Sequence, residues 1–176
     1  MDPLSKNLLS SVVRNARVAA LGTLHDGAPF VSMALAAPDP SWSVWFLHLS
    51  RLSGHTKDLL EDGRASLMLA APDAGDGDPQ QLARLTLVGK AVELSDGSAE
   101  EDSAKAVYLA KFPQMAALID QLGDFLVLGL PAGNGAVRGR VRARVHAHAR
   151  GAAPGDRRRD RKRPLKSPFR PAKTYA

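Results

Sequence analysis

From Trp45 to Leu69 the chain reads Trp-Phe-Leu-His-Leu-Ser-Arg-Leu-Ser-Gly-His-Thr-Lys-Asp-Leu-Leu-Glu-Asp-Gly-Arg-Ala-Ser-Leu-Met-Leu. An apolar strand runs into a turn rich in hydrogen-bond donors, then a short helix, then a second apolar strand, which is a compact way to build an anion site. Ser53-Gly54-His55-Thr56 falls where the strand ends and the helix begins. Unpaired amide N–H groups and the helix dipole both favour a phosphate there. Ser53 and Thr56 add hydroxyls, His55 adds a donor, and Gly54 lets the backbone approach closely. Many capped surface helices carry a nearby histidine, so this spacing is equally that of a plain capped helix.

The flanking sequence is mostly strands. Pro3 to Val13 has helical spacing, with Leu4, Leu8, Leu9, Val12 and Val13 on one side and Asp2 placed as a cap. Arg17 to Leu24 and Phe30 to Ala37 read as strands about the tight-turn pair Asp26-Gly27, and Trp42 to Leu49 as a third. Ser53 is the expected N-cap of a helix through Glu61 whose wet side carries Lys57, Asp58, Glu61 and Asp62. Strands follow at Ala65 to Ala71 and Leu82 to Leu94, the second bent or bulged at Gly89. Helix is expected from Ser98 to Lys111 and again to about Leu122, then strand from Asp124 to Leu130. The order predicts a mainly β protein, a small antiparallel barrel with flanking helices.

With 176 residues and 44% hydrophobic side chains the chain can bury one core. Cysteine is absent, which removes disulfides, thiolate metal sites and thiol nucleophiles. No apolar run is long enough to span a membrane and no leader is evident, so the expectation is a cytoplasmic protein without membrane contact. The net charge of +6 is misleading: residues 1–130 carry 10 Lys and Arg against 16 Asp and Glu, a net −6, and residues 131–176 carry 14 against 2, a net +12. The chain divides accordingly into a domain over 1–130 and a basic Arg- and Pro-rich tail over 131–176.

Other residues read more plainly. His25 falls in the hairpin turn as a solvated side chain, and His48, between Leu47 and Leu49, as a hydrogen-bonded core histidine. Trp42 and Trp45, three apart in a strand, point to opposite faces. Asp73, Asp76 and Asp78 form an acidic loop without the spacing of a calcium site. No nucleophile, base and acid set stands out, and no catalytic residue is nominated.

In order, Arg17-Val-Ala-Ala-Leu-Gly-Thr-Leu, Gly27-Ala-Pro-Phe-Val-Ser-Met, Leu49-Ser-Arg-Leu-Ser-Gly-His-Thr-Lys-Asp-Leu, Arg64-Ala-Ser-Leu-Met-Leu and Arg84-Leu-Thr-Leu-Val-Gly-Lys-Ala resemble the pyridoxamine 5'-phosphate oxidase-like split-barrel superfamily, in particular its haem-utilisation branch. The resemblance covers about residues 8–127. It implies a six-stranded antiparallel split barrel, homodimeric, with FMN at the subunit interface. It places Ser32, Met33, Ala34 and Leu35 along the flavin, His48 and Leu49 at the end of the third strand, Ser53, Gly54, His55 and Thr56 on the phosphate, and Arg84 at the flavin edge. Pyridoxamine phosphate oxidases have Arg where this chain has Ser32, Lys where it has Ala37 and Arg-Lys where it has Gly54-His55. That loss of positive charge argues against a true pyridoxamine phosphate oxidase. The function expected is FMN-dependent oxidoreduction or a haem-utilisation role; the alternative is a non-catalytic protein with a haem-binding barrel or a nucleic-acid-binding tail.

Beyond Val127 the resemblance stops. Val137 to Arg150 alternates small residues with Arg138, Arg140, Arg142, Arg144, His146, His148 and Arg150, a strand pattern with one cationic face. Codons can be chosen for Val137 to Arg150 that, read one base later, encode Phe-Val-Ala-Gly-Phe-Gly-Arg-Ala, a segment like the continuation in relatives. A frameshift near codons 126–130 would account for the change of character, and would leave nucleic-acid binding by the tail without selective meaning.

Overall fold

The computed structural model describes residues 3–75, 77–132 and, as backbone strand, 140–144. The expected cap at Asp2, the acidic-loop residue Asp76 and the Arg- and Pro-rich stretch beyond 144 lie outside these residues. The elements run α1 (Pro3–Asn15), β1 (Ala19–His25), β2 (Ala28–Ala34), β3 (Ala37–Pro38), β4 (Val44–Ser50), α2 (Gly54–Glu61), β5 (Arg64–Ala70), β6 (Arg84–Lys90), β7 (Val92–Glu93), α3 (Ala99–Lys111), α4 (Ala116–Leu122), β8 (Phe125–Pro131) and β9 (Arg140–Arg144), with single 3-10 turns at Pro79–Gln81 and Pro113–Met115. Every ladder is antiparallel, in the orders β2-β1-β5-β6-β9 and β3-β4-β8-β7. The mainly β barrel expected from the sequence is thus present, with six strands of seven residues each. Three shorter segments, β3, β7 and β9, add to them.

Two of the expected strands are each split, for one physical reason: the chain changes sheet. Phe30 to Ala37 ends its first ladder at Ala34 and re-enters the other sheet at Ala37. The corner is held by Lys111, whose ammonium donates to the carbonyl of buried Ala36 at 3.1 Å. Leu82 to Leu94 breaks at Ala91, whose amide leaves the ladder to donate to the Gly63 carbonyl at 2.7 Å. Gly63 is tightly fixed by this crossing, since a β carbon there would stand 2.6 Å from the Ala91 carbonyl oxygen. Gly63→Ala is therefore expected to cost about 1–3 kcal/mol by overpacking. Urea denaturation measures this, and an unchanged midpoint would show the crossing to be loose.

The barrel core follows from period-two patterning. In β5, Ala65, Leu67 and Leu69 are buried while Arg64, Met68 and Ala70 are exposed. A slip of one residue would turn this set to water, which fixes the register. Leu21, Trp45, Leu47, Leu67, Leu69, Leu85, Leu87, Leu128 and Leu130 fill the interior, and Leu9, Val12 and Val13 of α1 close one end. Each fully buried leucine contributes roughly 1.5–3 kcal/mol, so this cluster is the main favourable term. Asp26 and Gly27 take φ of 50° and 75°, the mirror-image hairpin turn expected of Asp-Gly.

Asp58, expected on the wet side of α2, is instead buried. It accepts from the Thr23 hydroxyl at 2.9 Å and pairs with His25 Nδ1 at 2.8 Å, tying α2 to the first hairpin. His25 is accordingly an anchored turn residue. Its hydrogen bond to Asp58, together with the charges of Asp58 and Asp26, holds its pKa above the ordinary value. A raised folded pKa stabilises below the unfolded value of about 6.5 and stops contributing once pH passes the folded one. The stability difference between the protein and its His25→Ala variant should therefore shrink above neutral pH, as measured by thermal melts across pH 5 to 9.

Candidate functional site

A cavity of about 260 Å³ opens where the ends of β2 and β4 meet the start of α2 and the inner faces of α3 and the following turn. Met33, Ala34 and Leu35 come from β2 and its exit, His48 and Leu49 from β4, and Ser53 and His55 from the entry to α2. Seven of the eleven residues expected in the site thus line one cavity. Ser50, Tyr108, Met115 and Phe125 line it as well.

The other four stand apart. Ser32 pairs across the ladder with Leu21, its buried hydroxyl without a partner among the described residues. Thr56 is wholly buried and shares its hydroxyl with Ser53 at 2.7 Å. Gly54 precedes His55 in open space, where a β carbon would meet nothing within 4 Å. Arg84 begins β6, three strands along from β2 in the same sheet, its guanidinium donating to the Gln80 carbonyl at 2.9 Å.

Ser53 is the N-cap by backbone geometry, but its hydroxyl does not cap. It donates to the Ser50 carbonyl at 2.8 Å and meets Thr56, so the capping role expected of it is taken by the shape of the turn alone. The first amides of α2, those of Gly54 and His55, consequently keep no acceptor inside the helix. Free amides at a helix start are the feature that favours an anion.

His48 is the strongest chemical signal. It is 3% exposed, and its Nδ1 has no hydrogen-bond partner among the described residues, contrary to the hydrogen-bonded core histidine expected. The rings of Tyr108 and Phe125 meet it edge-on, each at 5.5 Å between centroids. Burial lowers its pKa, the Lys105 charge lowers it further, and buried Glu101 opposes. Burial also lowers His55, against the charge of Asp58. The cavity therefore presents two imidazoles that are neutral at physiological pH and able to act as ligands to a soft or borderline metal centre.

Behind His48, α3 presents Glu101, Lys105 and Tyr108 on one face. Glu101 accepts from Lys105 at 2.9 Å and from the Gly97 amide at 2.9 Å. Its burial works to raise the carboxyl pKa, and these two partners outweigh it and hold it low. Burial lifts the Tyr108 phenol to about 12, so it stays a neutral donor. The i, i+4, i+7 spacing of these three was visible in the sequence, but nothing there told which strand they would face.

Two packed antiparallel sheets, helices at their seams and a cavity at the end of the third long strand form a split-barrel fold. The family described as CREG, beta-barrel, matches residues 9–130, and the chain belongs to it. Over 101 residues, 57% of this chain, it is 37% identical to the chloroplastic noncanonical heme oxygenase HOZ of Arabidopsis thaliana, and the match spans 29% of that longer protein. Among solved structures, a heme-binding protein from Mycobacterium smegmatis is 26% identical, with a TM-score of 0.64 over 82% of this chain and 59% of that one. HutZ, the heme storage protein of Vibrio cholerae, shares the fold at 20% identity, with a TM-score of 0.65 over 74% of this chain and 91% of that one.

Proposed function

We propose that this chain is a haem-binding protein of the haem-utilisation kind, with the cavity at His48 holding one side of the tetrapyrrole. The observation that carries the reading is the buried, unpartnered Nδ1 of a neutral His48 beside a second neutral imidazole, His55. A buried polar atom without a partner costs free energy, and a ligand that engages it removes that cost. Haem bound there would supply the iron's redox chemistry. The chain's own contribution is to fix the His48 imidazole in place through Tyr108 and Phe125 and to keep water from the inner wall.

A cavity of about 260 Å³ falls below the usual range of about 300–1,000 Å³ for small-molecule sites. The proposal therefore includes a homodimer that supplies the opposing wall. Its support is the outer face of the larger sheet, where Val31, Met33, Met68 and Val88 are all exposed. Together they form an apolar surface that a monomer would leave in water. Met33 belongs both to this face and to the cavity rim, so one partner could cover both.

FMN, expected from the resemblance, is the second reading, favoured by the free amides of Gly54 and His55 at the start of α2. Its phosphate would meet a neutral His55 in place of Arg-Lys, and flavin-dependent oxidoreduction rests on that weaker clamp. Titration of the purified full chain with hemin and with FMN decides between them. A saturable shift of the Soret band near about 400 nm with hemin, and weaker or absent quenching of FMN fluorescence, is expected. Tight FMN binding without a hemin response would overturn the haem reading.

A further inference from the structure

A second cavity, of about 430 Å³, opens between the end of α1, the β3–β4 turn and the last turns of α3. None of the residues expected in the flavin or haem site lines it. Its walls are mainly apolar, from Val13, Pro38, Trp42 and Val107, and it carries the side chains of Arg14, Lys111 and Asp39.

Trp42 stands at φ 60°, in the left-handed region where glycine or asparagine is the ordinary choice. Its amide closes the turn on the Asp39 carbonyl at 2.9 Å, which needs no indole. Part of the indole packs against the barrel core, and the ring also forms a wall of this cavity. The charges agree. Lys111 donates to the carbonyls of Val13 and Ala36 at 3.2 and 3.1 Å, which leaves one of its three protons. Neither Lys111 nor Arg14 has an ion-pair partner among the described residues. Asp39 stays ionised, its carboxylate accepting from the Ser41 amide, the Ser41 hydroxyl and the Val44 amide, and it offsets one of the two positive charges. Two cations against one carboxylate leave the lining of this apolar, aromatic-walled cavity with one net positive charge, the complement of a single negative charge on an apolar body.

We infer that this cavity is a binding site for a flat apolar monocarboxylate, its carboxylate on Lys111 and Arg14 and its ring system against Trp42. The site is separate from the cavity at His48 and does not depend on which cofactor that one takes.

The test is calorimetric titration of the full chain with 2-naphthoate and with the uncharged 2-naphthylmethanol. One equivalent of 2-naphthoate is expected to bind, at least tenfold more tightly than the alcohol. Trp42→Gly suits the φ of that turn, so it should fold, as its circular dichroism would show, and bind 2-naphthoate at least tenfold more weakly. Lys111→Gln should weaken binding similarly. Should that variant not fold, Arg14→Gln, at an exposed position, is expected to weaken it several-fold. Equal binding of acid and alcohol, no binding of the acid, or undiminished binding by Trp42→Gly would overturn the inference.

Discussion

His48→Phe is expected to yield a protein that is more stable than the parent and has lost its ligand. The substitution removes a buried Nδ1 that has no partner, a group whose burial costs about 1–3 kcal/mol when nothing engages it. It keeps an aromatic ring against Tyr108 and Phe125, and the adjoining cavity gives room for the larger ring. The gain should be about 1 kcal/mol by urea denaturation at pH 7, with hemin affinity down at least tenfold. A second signature follows from the titration. Because the folded pKa of His48 is lowered, the unfolded chain takes up the proton first, and stability falls as pH drops below the unfolded value of about 6.5. His48→Phe should flatten that part of the pH profile. A variant that binds hemin with the parental Soret spectrum would remove His48 from the site and, with it, the main support for the haem reading.

The long elements were legible because their causes are local. Period-two burial in β5, the Asp-Gly hairpin and the Ser98 cap, whose hydroxyl accepts from the Glu101 amide at 3.1 Å, all act within a few residues. The sheet changes at Leu35-Ala36 and Ala91 were not, because each is stabilised from far along the chain, by Lys111 and by Gly63. The site divides in the same way. The run Ser53-Gly54-His55 was visible as a strand-to-helix turn, and the resemblance added β2. Tyr108 and Phe125 entered only through long-range packing: β4 pairs Ser50 with Phe125 and His48 with Val127, and α3 crosses the same end. Asp58 shows the limit of amphipathic reading, since spacing on a short helix puts its carboxylate on the wet side while its partners, Thr23 and His25, lie more than thirty residues away.

Coding DNA for residues 126–150, read one base later, is expected to encode a segment close to Phe-Val-Ala-Gly-Phe-Gly-Arg-Ala, and a chain carrying that segment should be the more stable one. The family match ends at residue 130, while the backbone of Arg140–Arg144 still pairs with β6. The pairing covers an edge that would otherwise be open. In the present sequence its register sets Arg144 opposite Arg84. In the shifted frame position 144 becomes alanine, and position 141, opposite core-facing Leu87, becomes phenylalanine in place of Val141. The same shift puts arginine at position 143, opposite Leu85, and glycine at 140 and 142. Restoring the frame should raise the melting temperature by several degrees, at about 2–4 °C per kcal/mol for a chain of this size. It should also shift sedimentation towards a dimer and tighten ligand binding at the cavity rim through Met33. If the shifted frame encodes no such segment, the frameshift is refuted. If it does but the restored chain melts and sediments like the present one, Arg140–Arg144 already closes the barrel as well as the family strand would.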